Sequence, residues 1–89
     1  MEIQEIRKRI EYAKNQYSDV DFKLQQLDDG GLMVIMRGGL NSNNPTQYMN
    51  EVVSFLVGSE LYNEFIEKFL DNPWVRVVFF EFNDIQFNN

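Results

Sequence analysis

Residues 19–37, DVDFKLQQLDDGGLMVIMR, contain two strand patterns joined by a hairpin turn. The turn signal is Asp29-Gly30, because both residue types tolerate the positive φ angles of tight hairpin turns. Before the turn, polar and apolar residues alternate as in a half-buried strand. The apolar side of this first strand carries Val20, Phe22 and Leu24. After the turn, residues 32–36 are apolar on both faces, so the segment predicts an antiparallel hairpin with a well-buried second strand.

The pairing within this hairpin depends on the length of the turn. A two-residue turn pairs Leu24 with Ile35, whereas a three-residue turn pairs Leu24 with Met36. The two alternatives place opposite faces of the second strand beside Leu24. Because that strand is apolar on both faces, the sequence leaves the register open.

Two helices are predicted on either side of the hairpin. In residues 2–17 the apolar residues recur at steps of three and four, as on one face of a helix. The second helix follows Asn44 as its cap and Pro45 at its first position, and it ends at Gly58.

The segment SELYNEFIEKFLDNP, residues 59–73, predicts a third helix that stops at Asn72-Pro73. Alternatively, it continues the second helix after a kink at Gly58. One side of this helix is apolar, and the other carries an acidic row made of Glu60, Glu64, Glu67 and Asp71. The acidic row is either a solvated outer face or a docking surface for a basic partner.

Residues 74–82, WVRVVFFEF, predict a third strand because β-branched and aromatic residues dominate both of its faces. The predicted order is therefore α-β-β-α-α-β. This order indicates a single α+β domain over residues 1–89, with a largely antiparallel three-stranded sheet packed by helices.

The composition excludes several classes of function. The chain has no His and no Cys, so the usual catalytic triads, thiolate metal sites and disulfides are ruled out. The net charge of −6 argues against direct binding of nucleic acid or anionic lipid, and it predicts a basic protein partner. The amino-terminal residues lack a secretory pattern and no apolar run is long enough for a membrane span, so a cytoplasmic protein without cofactors or metals is expected.

An apolar sheet face left without cover would indicate self-association. Three short helices can hardly cover both faces of the predicted sheet, although the first helix packing opposite the other two would do so. If one face is exposed, it is expected to meet a second copy of the chain. The residues predicted for this homodimer contact are Val34, Met36, Trp74 and Phe80.

The strongest catalytic pattern is Asp19, Asp21 and Lys23, which alternate along the first strand. It resembles the D/E-x-K end of Mg²⁺-dependent nucleases, in which carboxylates hold the metal ion. A polar, solvent-facing strand side accounts for the same three residues, so hydrolysis is only a weak alternative and we expect no enzyme.

In size, acidity and lack of catalytic residues, the chain resembles small stoichiometric inhibitors such as phage-encoded anti-CRISPR and anti-defence proteins and toxin-immunity proteins, although no motif is shared. The resemblance implies a non-enzymatic protein that occupies the basic, nucleic-acid-binding site of a larger protein. The residues expected to contact this partner are Glu60, Glu64, Glu67, Asp71, Glu81 and Asp84. A homodimeric structural or regulatory domain and a toxin-immunity protein are the alternatives.

Overall fold

The computed structural model describes residues 3–28, 30–59, 65–69 and 72–80. The elements in chain order are α1 (Ile3–Gln16), β1 (Asp21–Gln26), β2 (Leu32–Arg37), α2 (Pro45–Val57), β3 (Phe65–Phe69) and β4 (Val75–Phe80). The predicted α+β class is confirmed, but the sheet has four strands and the observed order is α-β-β-α-β-β. Among the described residues, neither helix has the length and apolar character needed to cross a membrane.

The four strands lie in the order β1-β2-β4-β3, and each pair of neighbours is antiparallel. β2 and β4 are therefore the inner strands, and β1 and β3 are the two edges. This position explains why β2 and β4 are apolar on both faces, since an inner strand meets side chains from two neighbours.

The third predicted helix is wrong where the structure describes it, because residues 65–69 form the edge strand β3. Asn72 forms the turn that leads into β4: its side-chain Oδ1 accepts a hydrogen bond from the Trp74 N–H at 2.9 Å, and its backbone oxygen accepts one from the Val75 N–H at 3.2 Å. Asn72-Pro73 thus joins two strands instead of stopping a helix. The apolar residues of this short segment recur with helical spacing, but backbone pairing with the outer side of β4 determines its structure.

The β1–β2 hairpin has neither of the predicted registers. Leu24 lies opposite Val34, and the Leu27 N–H donates to the Gly31 oxygen at 2.9 Å. Three residues therefore separate the last pair, and Gly30 has the positive φ of 87° that such a loop requires. As a result Leu24 and Val34 share one face of the sheet.

The predicted ends of α2 are confirmed. Asn44 Oδ1 accepts a hydrogen bond from the Gln47 N–H at 3.2 Å, and Pro45 is the first helical residue. Gly58 follows the helix with a φ of 67° and donates its N–H to the Ser54 oxygen at 2.9 Å.

Both helices pack on the same face of the sheet. The core between them and the sheet includes Ile6, Ile10, Leu32, Val34, Met36, Met49, Val52, Leu56, Val78 and Phe80. The helices are also joined directly, because Arg9 Nη1 donates to the carbonyl oxygens of Leu56 and Val57 at 3.4 and 3.1 Å. The predicted alternative in which α1 covers the opposite face is therefore wrong.

Gly38 allows the chain to pass close to Asp19 and Val20, just before β1, and replacing it with alanine is expected to destabilise the fold. An added Cβ would lie 2.7 Å from Val20 Cγ2 and 2.9 Å from both the Asp19 oxygen and Val20 Cα. Because two of these atoms are backbone, we expect a loss of about 2 kcal/mol in the free energy of unfolding, measured by urea denaturation. Asn43→Ala in the same loop is the control and should change it by less than about 0.5 kcal/mol.

Candidate interaction surface

The face of the sheet that points away from the helices is uncovered within the described part of the chain, and we call it the open face. Alternating residues of the four strands form it, because successive side chains of a strand point to opposite sides. Its members are Asp21, Lys23, Gln25, Met33, Ile35, Arg37, Ile66, Lys68, Val75, Val77 and Phe79.

The centre of the open face is apolar. Met33, Ile35 and Phe79 are only partly buried, and Ile66 on the edge strand is 47% exposed. Val77 lies between these side chains and is 9% exposed, and Val75 on the same face is 8% exposed. Partly exposed apolar side chains thus continue across β2, β4 and β3, which makes a patch and not a set of scattered residues.

A lysine stands at each end of one row that crosses the sheet. Lys23 lies opposite Ile35, Ile35 opposite Val77, and Val77 opposite Lys68. We call these four residues the lysine row. Both lysines are exposed, and Lys68 Nζ lies 5.1 Å from the centre of the Phe79 ring, a favourable cation–π distance. The row therefore combines an apolar middle with two cationic ends.

A shallow hollow of about 320 Å³ lies beside the Lys23 end of this row, and Asp21, Lys23, Ile35 and Arg37 contribute to its walls. Asp21 and Arg37 are cross-strand neighbours. Because the hollow has an apolar wall and both signs of charge at its rim, it suits a single side chain of a bound protein.

The acidic row is not a helical stripe, because its member Glu67 lies on β3 and on the helix-covered side of the sheet. Glu67 Oε1 is 3.3 Å from Arg76 Nε, and their side chains are 18% and 3% exposed. Burial raises the pKa of the Glu67 carboxyl, while the Arg76 guanidinium acts in the opposite direction. Glu67 therefore neutralises a buried cation of its own chain, and its predicted contact with a partner stays a prediction.

Among the described residues, Arg76 is the charged residue that is buried in the core. No role was predicted for it from the sequence. Its Nη1 donates to the carbonyl oxygens of Pro73 and Val75 at 3.3 and 3.1 Å, and its Nη2 donates to Asn50 Oδ1 of α2 at 3.4 Å. These contacts tie β4 to α2. Its place in the sequence between Trp74 and Val78 could have indicated it, since all three alternate on one side of the strand.

The other predicted contacts with a basic partner lie outside the described residues. They are Glu60, Glu64, Asp71, Glu81 and Asp84. Their expected role as a docking surface stays a prediction.

Of the four predicted self-association residues, three lie in the core and not on the open face. Val34 and Met36 are fully buried and Phe80 is 1% exposed, all beneath the helices. Trp74 is 38% exposed. The apolar surface that remains accessible is instead formed by the alternate residues of the same strands, such as Ile35 and Phe79.

The residues of the hydrolase hypothesis do not converge. Asp21 and Lys23 lie on the open face, whereas Asp19 precedes β1 and its carboxylate accepts a hydrogen bond from the Tyr48 hydroxyl. Burial and this hydrogen bond raise the pKa of Tyr48 to about 12, so the hydroxyl stays a donor near neutral pH. Among the described residues, no group of three potential metal ligands comes together.

Sequence reasoning missed β3, and with it Ile66 and Lys68 of the open face. The signal was the position of these residues just before an Asn-Pro turn and a strongly β-forming segment, an arrangement typical of a second hairpin.

Comparison with known proteins gives no guide to this surface: no family model matches the chain, and no curated protein or solved structure is detectably similar to it.

Proposed function

We propose that this chain is a non-enzymatic protein-binding module that acts through the open face of its sheet. The observation that supports this proposal is the patch of partly exposed Met33, Ile35, Ile66 and Phe79 on a face that the described chain leaves uncovered. Contiguous apolar patches on small proteins usually mark contact sites. The absence of His and Cys supports a binding role over catalysis, and the absence of Cys suits a reducing cytoplasm.

The proposed occupant is a segment of another protein, not a second copy of the chain. A sheet face of this size covers about 20 Å by 20 Å, or about 400 Å², whereas a standard stable interface buries about 800 Å² per partner. In an aligned face-to-face dimer, the lysines at both ends of the lysine row would also lie over those of the other copy. Both the area and the charge therefore favour a smaller partner segment.

Site-specific cross-linking tests this function. A photoreactive phenylalanine analogue placed at Phe79 of the open face is expected to form covalent adducts with a protein in the cells that produce the chain. The matched control carries the same analogue at Tyr12, an exposed aromatic residue of α1. Adducts should form from position 79 and not from position 12, and mass spectrometry would identify the captured protein.

Three results would contradict this proposal. Adducts from Tyr12 alone would move the contact to the helices. An adduct at twice the chain mass of 10.6 kDa would indicate a homodimer. Adducts with nucleic acid would replace the protein partner.

A stoichiometric inhibitor of a basic site is a second candidate, and the distribution of charge favours it. Residues 45–89 hold two Lys or Arg against seven Asp or Glu, whereas residues 1–44 hold six against seven. The second half of the sequence thus carries −5 of the net −6, with most of its acidic residues in segments 60–71 and 81–84. If these segments dock on a basic protein, changing Glu60, Glu64, Asp71, Glu81 and Asp84 to Gln or Asn should abolish its capture while the fold is kept.

A further inference from the structure

We infer that the segment which docks on the open face is acidic, with an apolar side chain flanked by a carboxylate on each side. This inference rests on the proposed function and specifies the chemistry of its partner. The inference depends on the lysine row, in which Lys23 and Lys68 lie on either side of the apolar pair Ile35 and Val77. No ion pair within the described chain involves either lysine.

The spacing of the row defines the pattern of the partner. Neighbouring strands are about 4.8 Å apart, so the Cα atoms of Lys23 and Lys68 are separated by about 14 Å. In an extended segment lying across the strands, residues i, i+2 and i+4 point to the same side and span about 13 Å. An acid-x-apolar-x-acid segment therefore places its carboxylates near the two lysines and its apolar side chain over Ile35 and Val77.

The charge of the open face is opposite to that of the whole chain. It carries three cations, Lys23, Arg37 and Lys68, and one carboxylate, Asp21, in a chain whose net charge is −6. Arg37 lies opposite Asp21 in the β1–β2 pair, the one described carboxylate on this face, whereas Ile35 and Val77 are the cross-strand neighbours of the two lysines. An acidic segment therefore meets complementary charge on the described residues of this face.

A single-stranded nucleic acid also combines negative charge with flat apolar groups, but the open face suits it poorly. Sheet surfaces that bind such strands offer two or three aromatic rings for base stacking. Among the described residues of the open face Phe79 is the one aromatic residue, and Lys68 Nζ already lies over its ring. The net charge of −6 would further repel a phosphate backbone.

The test uses a fluorescently labelled twelve-residue peptide with Glu-Thr-Ile-Thr-Glu at its centre, titrated with the full chain and followed by fluorescence anisotropy. We expect saturable binding that weakens as NaCl is raised from about 50 to about 500 mM, because salt screens the attraction between the carboxylates and the lysines. The double variant Lys23→Glu/Lys68→Glu should bind the peptide at least about tenfold more weakly, because two attractive pairs become repulsive. The control Lys8→Glu/Lys14→Glu on exposed positions of α1 makes the same change of net charge and should bind as the unchanged chain does.

The inference is overturned if a peptide with Gln in place of both Glu residues binds equally well, or if both double variants lose binding alike. Tighter binding of a twelve-nucleotide single strand to the same face would also overturn it. Circular dichroism of each variant shows whether the fold is kept. If the analogue at Phe79 captures a protein while the peptide does not bind, the acidic pattern is wrong and the proposed function stands. Failure of both experiments removes both proposals.

Discussion

Val34→Asp is expected to unfold the domain, whereas Ile35→Asp, one position along the same strand, is expected to leave it folded. Val34 is fully buried between the sheet and the helices, where a carboxylate would lose its water and the buried cation on that side, Arg76, is already paired with Glu67. We expect a loss of about 5 kcal/mol or more, comparable to the whole stability of a small domain. Ile35 is partly exposed on the open face opposite Lys23, so the loss there should be about 1 kcal/mol.

Urea denaturation followed by circular dichroism measures both variants of this pair. If Ile35→Asp unfolds the domain and Val34→Asp does not, the helices cover the opposite face of the sheet and the open face is misassigned. Comparable losses for both would mean that the two faces are equally buried, which would indicate an obligate partner on the second face.

Glu67→Ala is expected to lower the free energy of unfolding by about 3 kcal/mol, because it leaves the Arg76 guanidinium buried without its counter-charge. The hydrogen bonds from Arg76 to two carbonyl oxygens and Asn50 hold the cation in place, so it cannot simply move to water. Replacing both members, as in Glu67→Leu/Arg76→Met, removes the charge and the requirement for it together. We expect this double variant to recover most of the loss in thermal and urea unfolding.

The pH dependence provides an independent check on Glu67. Its pKa is raised in the folded state, so its contribution to stability is largest below the ordinary carboxyl pKa and is lost as pH rises through the folded value. The difference in stability between the unchanged chain and Glu67→Gln should therefore shift in favour of the unchanged chain on acidification from neutral pH. A difference independent of pH would mean that Glu67 is solvated.

The two described helices and three of the strands follow from local chemistry. Asn44, Pro45 and Gly58 each have one conformational preference that fits the end of a helix, and the alternation around Phe22 permits only a strand. Residues 65–69 carry no such constraint, because five residues fit a strand and one helical turn equally well. Their structure depends on β4, which offers an unpaired edge only after the whole sheet is assembled.

The open face could not be located from the sequence for a related reason. β2 is apolar on both sides, so its pattern does not say which side the helices cover. The register decides this: the observed pairing of Leu24 with Val34 puts the same face of β2 beside Leu24 as the predicted three-residue turn, and the opposite face to the predicted two-residue turn. The observed register therefore places Val34 and Met36 beneath the helices, on the face that carries Leu24, and leaves Ile35 and Met33 outside.

The order of the four strands has a consequence for how a bound segment would be oriented. The chain is an α-β-β unit followed by a second α-β-β unit, and the order β1-β2-β4-β3 relates the two by an approximate two-fold axis perpendicular to the sheet. The lysine row reads Lys-Ile-Val-Lys and is nearly unchanged by this rotation. An acid-x-apolar-x-acid segment also has the same pattern in both directions, so the row alone accepts either chain polarity. The direction must instead be set by the flanking rows, where Asp21 and Arg37 on one side have no counterpart beside Met33 and Phe79 on the other.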